Sequence, residues 1–440
     1  MGQAKAIAKA QGMANLGIAE FPGVIMNQSD EELRRNTEQV LVPNIVRELT
    51  RAVASTAAVQ EPRTGEIVYS GSIDEVNEYF LEKEWTDGLP IMPPTLERIE
   101  AFLTFTDREP AEVIGVLAPE NREATVWNTA VNGVMAGCRP EYMPVLLGIV
   151  EALADPNFFV RDAGATPGWE PLVIVNGPIV KTLNFNYESG VLRVGRQANT
   201  SIGRFIRLYM RNVAGLRIGP SSTDKGSIAL GMNVVLAENE DAVDELGWES
   251  FSSERGFGRA DSVVTVQSAL SPTIPIYTAG NTAVEHMDTL VEIFGGTCAF
   301  WSHTAIRRGK YFPLLIISPG VAKVIAGEGW TKRDVQQYLF DHTKVSVKAL
   351  QRHAWEIGFT GFDLHALVKQ GVVSDAYSQS HDPDRLVPAF IKPEWIGIVV
   401  SGDPGRNQSK GFVQNHVQAP PISKKIRLLP DRRSGVDGGK

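Results

Sequence analysis

Four short runs, Pro171 to Val175, Val263 to Val266, Leu314 to Ser318 and Ile396 to Val400, constrain this chain more than any other feature. Each is almost continuously apolar, which predicts a strand buried on both faces. Asn176-Gly-Pro closes the first run as a turn, and Ser401-Gly-Asp-Pro-Gly-Arg406 follows the last. Buried strands alternating with helical segments imply an α/β or α+β fold, a mixed sheet core with surrounding helices.

The helical segments are marked by their caps. Ser29 with Glu32 reads as a capping box opening a helix that runs towards Ala54, and Ser72 caps another through Leu81. Residues 4–13 read as a short helix and Phe21 to Met26 as a strand. Trp85-Thr-Asp-Gly-Leu-Pro-Ile-Met-Pro-Pro-Thr95 is a turn-rich loop stiffened by its prolines. Thr125 to Gly137 predicts a helix ended by glycine, and Pro140 opens the next, which runs to about Ala154.

With 440 residues, the chain exceeds what one hydrophobic core usually organises. The expected division is a small incomplete α/β unit at 1–55, a linker at 56–70, a main α/β domain at 71–429 and a disordered polar tail at 430–440. The first unit is too small for its own core and needs a partner surface, in this chain or another. No repeat of 20–50 residues is evident.

A net charge of −8 argues against a nucleic-acid surface, which requires an excess of lysine and arginine. No apolar run approaches the roughly 20 residues of a membrane-spanning helix. The opening MGQAKAIAKAQGM lacks the apolar stretch of a secretory signal, so a cytoplasmic location is expected. Two cysteines cannot build a disulfide framework, and the seven histidines show no metal-ligand spacing, so no metal site is expected. There is no P-loop or GxGxxG fingerprint, and the cofactor is left unassigned.

Cys138 is the leading candidate for chemistry. With Arg139 it precedes a predicted helix, where the dipole and an adjacent guanidinium favour a thiolate. The alternative is a small side chain packed at a tight helix junction. Cys298, in Gly-Gly-Thr-Cys-Ala-Phe-Trp, reads as structural.

A second candidate is the arginine series 193, 196, 204, 207, 211 and 217, in a stretch from Val191 to Thr223 without an acidic residue. Arg204, Arg207 and Arg211 share one helical face and suit a carboxylate or phosphate; the alternative is a face paired with carboxylates elsewhere. Gly203 would let a ligand or backbone approach. Asn176, Asn199, Glu141 and Glu238 are the polar candidates for orienting substrate or moving protons, and each also reads as a cap or turn residue.

The motifs at 85–95, Val-Met-Ala-Gly-Cys-Arg-Pro-Glu-Tyr (134–142), Val-Asn-Gly-Pro-Ile (175–179) and Ala-Asn-Thr-Ser-Ile-Gly-Arg (198–204) resemble a bacterial family of uncertain function associated with UGSC-type selenocysteine or cysteine proteins. The resemblance covers about residues 70–420. The first 55 residues resemble the closing part of a UGSC-type domain, without its U/C-Gly-Ser-Cys motif. That departure implies either a separate chain carrying the missing half, or a start downstream of a selenocysteine codon read as a stop. More distantly, such proteins resemble the selenoprotein subunits of glycine and proline reductases, which cleave a carbon–heteroatom bond.

The expectation is therefore a thiol-dependent enzyme acting on a small anionic metabolite. Cys138 is its nucleophile or redox thiol, Arg139 holds the thiolate, and Arg204 and Arg207 bind the anion. Asn176 and Asn199 position substrate, and Glu141 or Glu238 handles protons. Two other readings stay open: a scaffold subunit completing a partner's UGSC-type domain, and a lyase or hydrolase working without a thiol. A homo-oligomer is compatible with each.

Overall fold

The computed structural model describes residues 13–52, 63–160, 168–218, 223–224, 226, 228–356, 361, 363–414 and 420–429, together with residues 4, 5 and 8. The expected helix at 4–13 lies mostly outside these, as do the tail at 430–440 and residues 53–62 of the expected linker. Ser29 opens α1 (Asp30–Asn36) with the expected capping box, its amide donating to the Glu32 carboxylate at 2.9 Å. A π turn at Thr37–Leu41 carries α1 into α2 (Val42–Thr50). Phe21 to Met26 is not a strand: bends there lead into a 3-10 turn at Ile25–Asn27, and residues 13–52 contain no strand. Bends at Pro22 and Gly23, the latter with φ +79°, break the extended run, so the described part of the expected α/β unit is helical. Neither helix buries a residue, and Val42, Val46 and Leu49 are exposed.

The chain then forms α3 (Ile73–Glu82), started by the Ser72–Glu75 capping box, and α4 (Leu96–Leu103) after the proline loop. An unanticipated hairpin of β1 (Val113–Leu117) and β2 (Arg122–Thr125) precedes α5 (Val126–Met135) and α6 (Met143–Leu153). The first large sheet region follows as β3 (Glu170–Asn176), α7 (Ile179–Thr182), α8 (Gln197–Tyr209), β4 (Leu236–Ala237), α9 (Glu240–Glu245) and β5 (Val263–Ala269). Next come β6 (Ser271–Pro272), β7 (Ile276–Tyr277), α10 (Ala283–Leu290), α11 (Gly296–Arg308), β8 (Leu314–Ile317), α12 (Pro319–Gly327) and α13 (Lys332–His342). The last elements are β9 (Lys344–Ser346), α14 (Val347–Glu356), α15 (Leu364–Lys369), β10 (Leu386–Pro388), β11 (Gly397–Val400), β12 (Gln408–Val413) and β13 (Ile422–Lys425).

The four apolar runs are thus β3, β5, β8 and β11, and their lack of alternation has a physical cause. Leu172 and Ile174 of β3 cluster with Leu236 of β4, Leu314 and Ile316 of β8, Val399 of β11 and Phe412 of β12. Their neighbours Val173, Val175, Leu315, Ile317, Ile398 and Val400 belong instead to the core shared with the helices. Two sheets therefore stack face to face with helices outside, and a strand in either needs apolar residues on both faces. α6 covers β5 and β13 on one side; α11 and α12 cover β12 on the other. The result is a mixed α/β architecture, as the sequence leads one to expect.

The two sheets share a plan. Their orders are β4-β3-β5-β13 and β11-β8-β12-β6, and in each the first pair is parallel and the next two pairs are antiparallel. The sheets also exchange strands. β5 leaves the first sheet and continues as β6, which pairs with β12 of the second; β12 is followed by β13, which returns to pair with β5. At the carboxyl ends of the parallel pairs the sheets touch, with the Asn239 amide donating to Val400 O at 2.8 Å and the Ser401 hydroxyl to Ala237 O at 2.8 Å.

Candidate functional site

The sequence-predicted site residues separate into two places. Around Cys138 the local structure differs from the expected helix start. Gly137 has φ +76°, its amide donates to Val134 O at 2.9 Å, and the Cys138 amide donates to Gly133 O at 3.0 Å. This is the Schellman closure of α5, so Cys138 stands at the negative end of the preceding helix, and its backbone donor is used there. The following segment begins with a 3-10 turn at Pro140–Tyr142.

Burial pushes the Cys138 thiol up to about 12, against the opposing hydrogen bond of Ser201 and charge of Arg204. Arg139 does not hold a thiolate: it is exposed and pairs with Glu141 at 2.9 Å, which occupies both residues. Cys298 is buried and pushed to about 12 as well. Iodoacetamide should therefore label Cys138 no faster than Cys298 in folded protein near neutral pH. Mass spectrometry showing rapid, selective labelling of Cys138 would restore an activated thiol.

The arginines do share a neighbourhood, and carboxylates from distant segments meet them. Arg204 forms a bidentate pair with Asp87 of the proline loop at 2.8 and 2.9 Å and also donates to Pro90 O at 2.8 Å. Burial pushes the Asp87 carboxyl up, but the Arg204 hydrogen bonds and charge outweigh it and hold it below its ordinary range. Arg207 pairs with buried Glu170, and Arg217 with buried Glu120. Arg211 donates to the backbone carbonyls of Glu84 at 2.6 Å and Ile218 at 3.2 Å.

Asn199 lies within the first turn of α8, because the helix starts at Gln197 rather than after Asn199. Its amide donates to Asn186 O and Val235 O at 3.0 and 2.8 Å, and its carbonyl accepts from the Asn186 amide at 2.7 Å. It is a buried brace between loops, with both amide hydrogens used and its carbonyl engaged by Asn186.

The second place is a cleft of about 270 Å³ at the carboxyl ends of β3 and β4, lined by Glu238, Glu240, Asp241, Asp244, Lys181, Arg259 and Tyr187 among others. Open α/β sheets commonly bind ligands at this end. Asn176, the last residue of β3, donates from one amide nitrogen to Glu238 at 2.7 Å and to Glu240 at 3.0 Å. Its carbonyl oxygen is buried and unpartnered.

The two carboxylates it joins have different surroundings. Glu238 is buried and accepts from Asn176, the Phe251 amide at 2.6 Å, the Val400 amide at 3.2 Å and the Lys332 ammonium at 3.1 Å. These bonds leave Glu238 committed to joining the sheets, in place of the expected free proton carrier. Glu240 keeps access to the cleft. Burial raises its carboxyl above the ordinary range and nearby Glu238 adds to this, while Asn176, Arg259 and the Gly177 amide act against it.

Glu240, Arg259, Lys181, Tyr187 and Lys332 are not among the residues the sequence singles out. Asn239-Glu240-Asp241 carries a signal, but it is that of a helix cap: Asn239 accepts from the Ala242 amide at 3.0 Å. Lys332 is even less conspicuous, as a lysine following the Thr331 cap of α13. Among the described residues no group of three or more His, Cys, Asp or Glu side chains could hold a metal ion, and no helix is long and apolar enough to cross a membrane. The chain matches no family model, no curated protein and no solved structure.

Proposed function

We propose that this chain is an enzyme that moves a proton on a small polar substrate through Glu240, a lyase or hydrolase working without a thiol. The observation carrying this reading is a carboxyl raised above its ordinary range inside an open cleft, joined by Asn176 to a second carboxylate with a different environment. A carboxyl raised by its surroundings inside a cleft is a common proton donor or acceptor at functional sites. Glu240 exchanges the proton, Asn176 positions it, and Arg259, paired with Glu240 at 3.0 Å, restrains its other oxygen.

As general acid Glu240 serves below its raised pKa, and that contribution fades as pH rises through it. The test combines ¹³C titration of the Glu240 carboxyl with metabolite turnover by wild type and Glu240→Gln. A raised pKa and a loss of about 10²-fold or more in kcat are expected. An ordinary pKa, or turnover that survives the substitution, would sink the assignment.

A second reading keeps the thiol-dependent enzyme on a small anionic metabolite, cleaving or reducing a carbon–heteroatom bond as the UGSC resemblance implies. It is favoured by the grouping of Cys138 with Ser201 and Arg204, beside Arg207 and Arg211. It requires the thiol to leave its buried position, and Cys138→Ser then abolishes turnover that Glu240→Gln spares. A third, a scaffold subunit completing a UGSC-type partner, is favoured by the unburied apolar residues of α2. Stable one-to-one binding of a U/C-Gly-Ser-Cys protein, lost on Val46→Asp, would select it.

A further inference from the structure

We propose that residues 87–90 form a strap across the Cys138 thiol, closed by a single clasp, the Arg204 guanidinium, and that release of this clasp exposes the thiol. The strap deepens the second reading above and rests on it only for the use to which an exposed thiol is put.

Both feet of the strap are fixed. On one side Thr86 is buried, the Trp85 ring packs edge-on against Tyr79 and Phe80, and Asn212 donates to Trp85 O at 3.0 Å. On the other Ile91 is buried, its amide donates to the Asn77 side chain at 2.7 Å, and the Met92 amide donates to Met135 O at 3.3 Å. Between the feet Asp87, Gly88, Leu89 and Pro90 are all exposed. The Gly88 amide bonds only back to the Thr86 hydroxyl at 3.0 Å. Among the described residues, the hydrogen bonds that tie these four to another part of the fold all come from Arg204: the bidentate pair with Asp87, and bonds to Leu89 O at 3.4 Å and Pro90 O at 2.8 Å.

The thiol lies in the groove that the strap crosses. Met135, which holds one foot, ends α5 three residues before Cys138. On the other wall, Gln197 of α8 reaches Gly137 O at 3.5 Å, Ser201 hydrogen-bonds the thiol, and Arg204 stands one turn further along the same helix face. One guanidinium therefore both holds the strap and faces the sulfur. While Asp87 engages it, Arg204 is committed to closure; released, the same cation is free to favour a thiolate that burial otherwise suppresses. A segment anchored at both ends and tied once between them can open locally while the core stays folded.

Iodoacetamide labelling of the full chain at about pH 8, read by peptide mass spectrometry, tests the strap in wild type, Asp87→Ala and Asp87→Asn. Cys298 is the internal reference, because unfolding of the whole chain would expose both thiols. In Asp87→Ala the rate at Cys138 relative to Cys298 should rise about tenfold or more, and in Asp87→Asn, which keeps one acceptor for Arg204, by less. A ratio unchanged in Asp87→Ala, or both rates rising together, would overturn the proposal. Its failure is separable from that of the thiol-dependent reading. A ratio that rises while Cys138→Ser leaves turnover intact keeps the strap and removes the thiol enzyme, whereas an unchanged ratio beside turnover lost in Cys138→Ser removes only the strap.

Discussion

Lys332→Ala should cost the folded state about 3–5 kcal/mol, measured as a lower midpoint in urea at unchanged slope. The ammonium is buried, donates to Glu238 at 3.1 Å and to Ile398 O at 3.1 Å, and lies 3.6 Å from Glu254. Removing it leaves the buried Glu238 carboxyl without its cationic partner, with Glu254 beside it already raised by burial. The cost is that of an orphaned charge and does not measure what the pair contributes. Replacing both partners, Glu238→Leu with Lys332→Met, should therefore recover much of the loss, although Asn176, Phe251 and Val400 then lose an acceptor. A single variant that unfolds at the wild-type midpoint would show that water reaches this seam.

Gly203→Ala provides a test in which two physical effects have opposite signs. Helix propensity alone predicts stabilisation by up to about 1 kcal/mol, since Gly203 lies inside α8. The structure predicts destabilisation approaching 3 kcal/mol, because a methyl group there would overlap the backbone of Asn233 and Val234. That backbone cannot retreat freely: the adjacent Val235 amide donates to Asn199 O at 3.0 Å, and Val235 O accepts from the Asn199 side chain. Calorimetry decides by the sign of the shift in Tm. A rise would mean that the segment before β4 is less firmly seated than these bonds imply.

The sequence makes the interior of the fold legible because each buried strand announces itself locally. Continuous apolar runs mark β3, β5, β8 and β11, and the Ser29 and Ser72 capping boxes mark two helix starts; each depends on residues a few positions apart. Cys138 illustrates the limit of local reasoning. Gly137 was correctly legible as a helix end, but the same turn reads equally as the approach to a new helix, and the thiol's environment is decided by which end claims its amide.

The candidate cleft is less legible still. Glu238 and Lys332 are 94 residues apart, and Asn176 and Glu240 are 64 apart. Nothing in a linear pattern couples them; the stacking of two sheets does. The arginine series was visible as charge, yet its meaning depended on Asp87 and Glu170, which belong to other segments.

The exchanged strands β6 and β13 carry a consequence for how such a chain can be divided. Each sheet completes itself with a ribbon borrowed from the other half, so a cut between the halves leaves both fragments with an unpaired edge. Neither fragment is a self-sufficient building block, and heating should dissolve the two sheets in one step. Two separately made fragments could still recognise one another by returning the missing ribbons, a complementation that a simple tandem of independent lobes would have no means to perform.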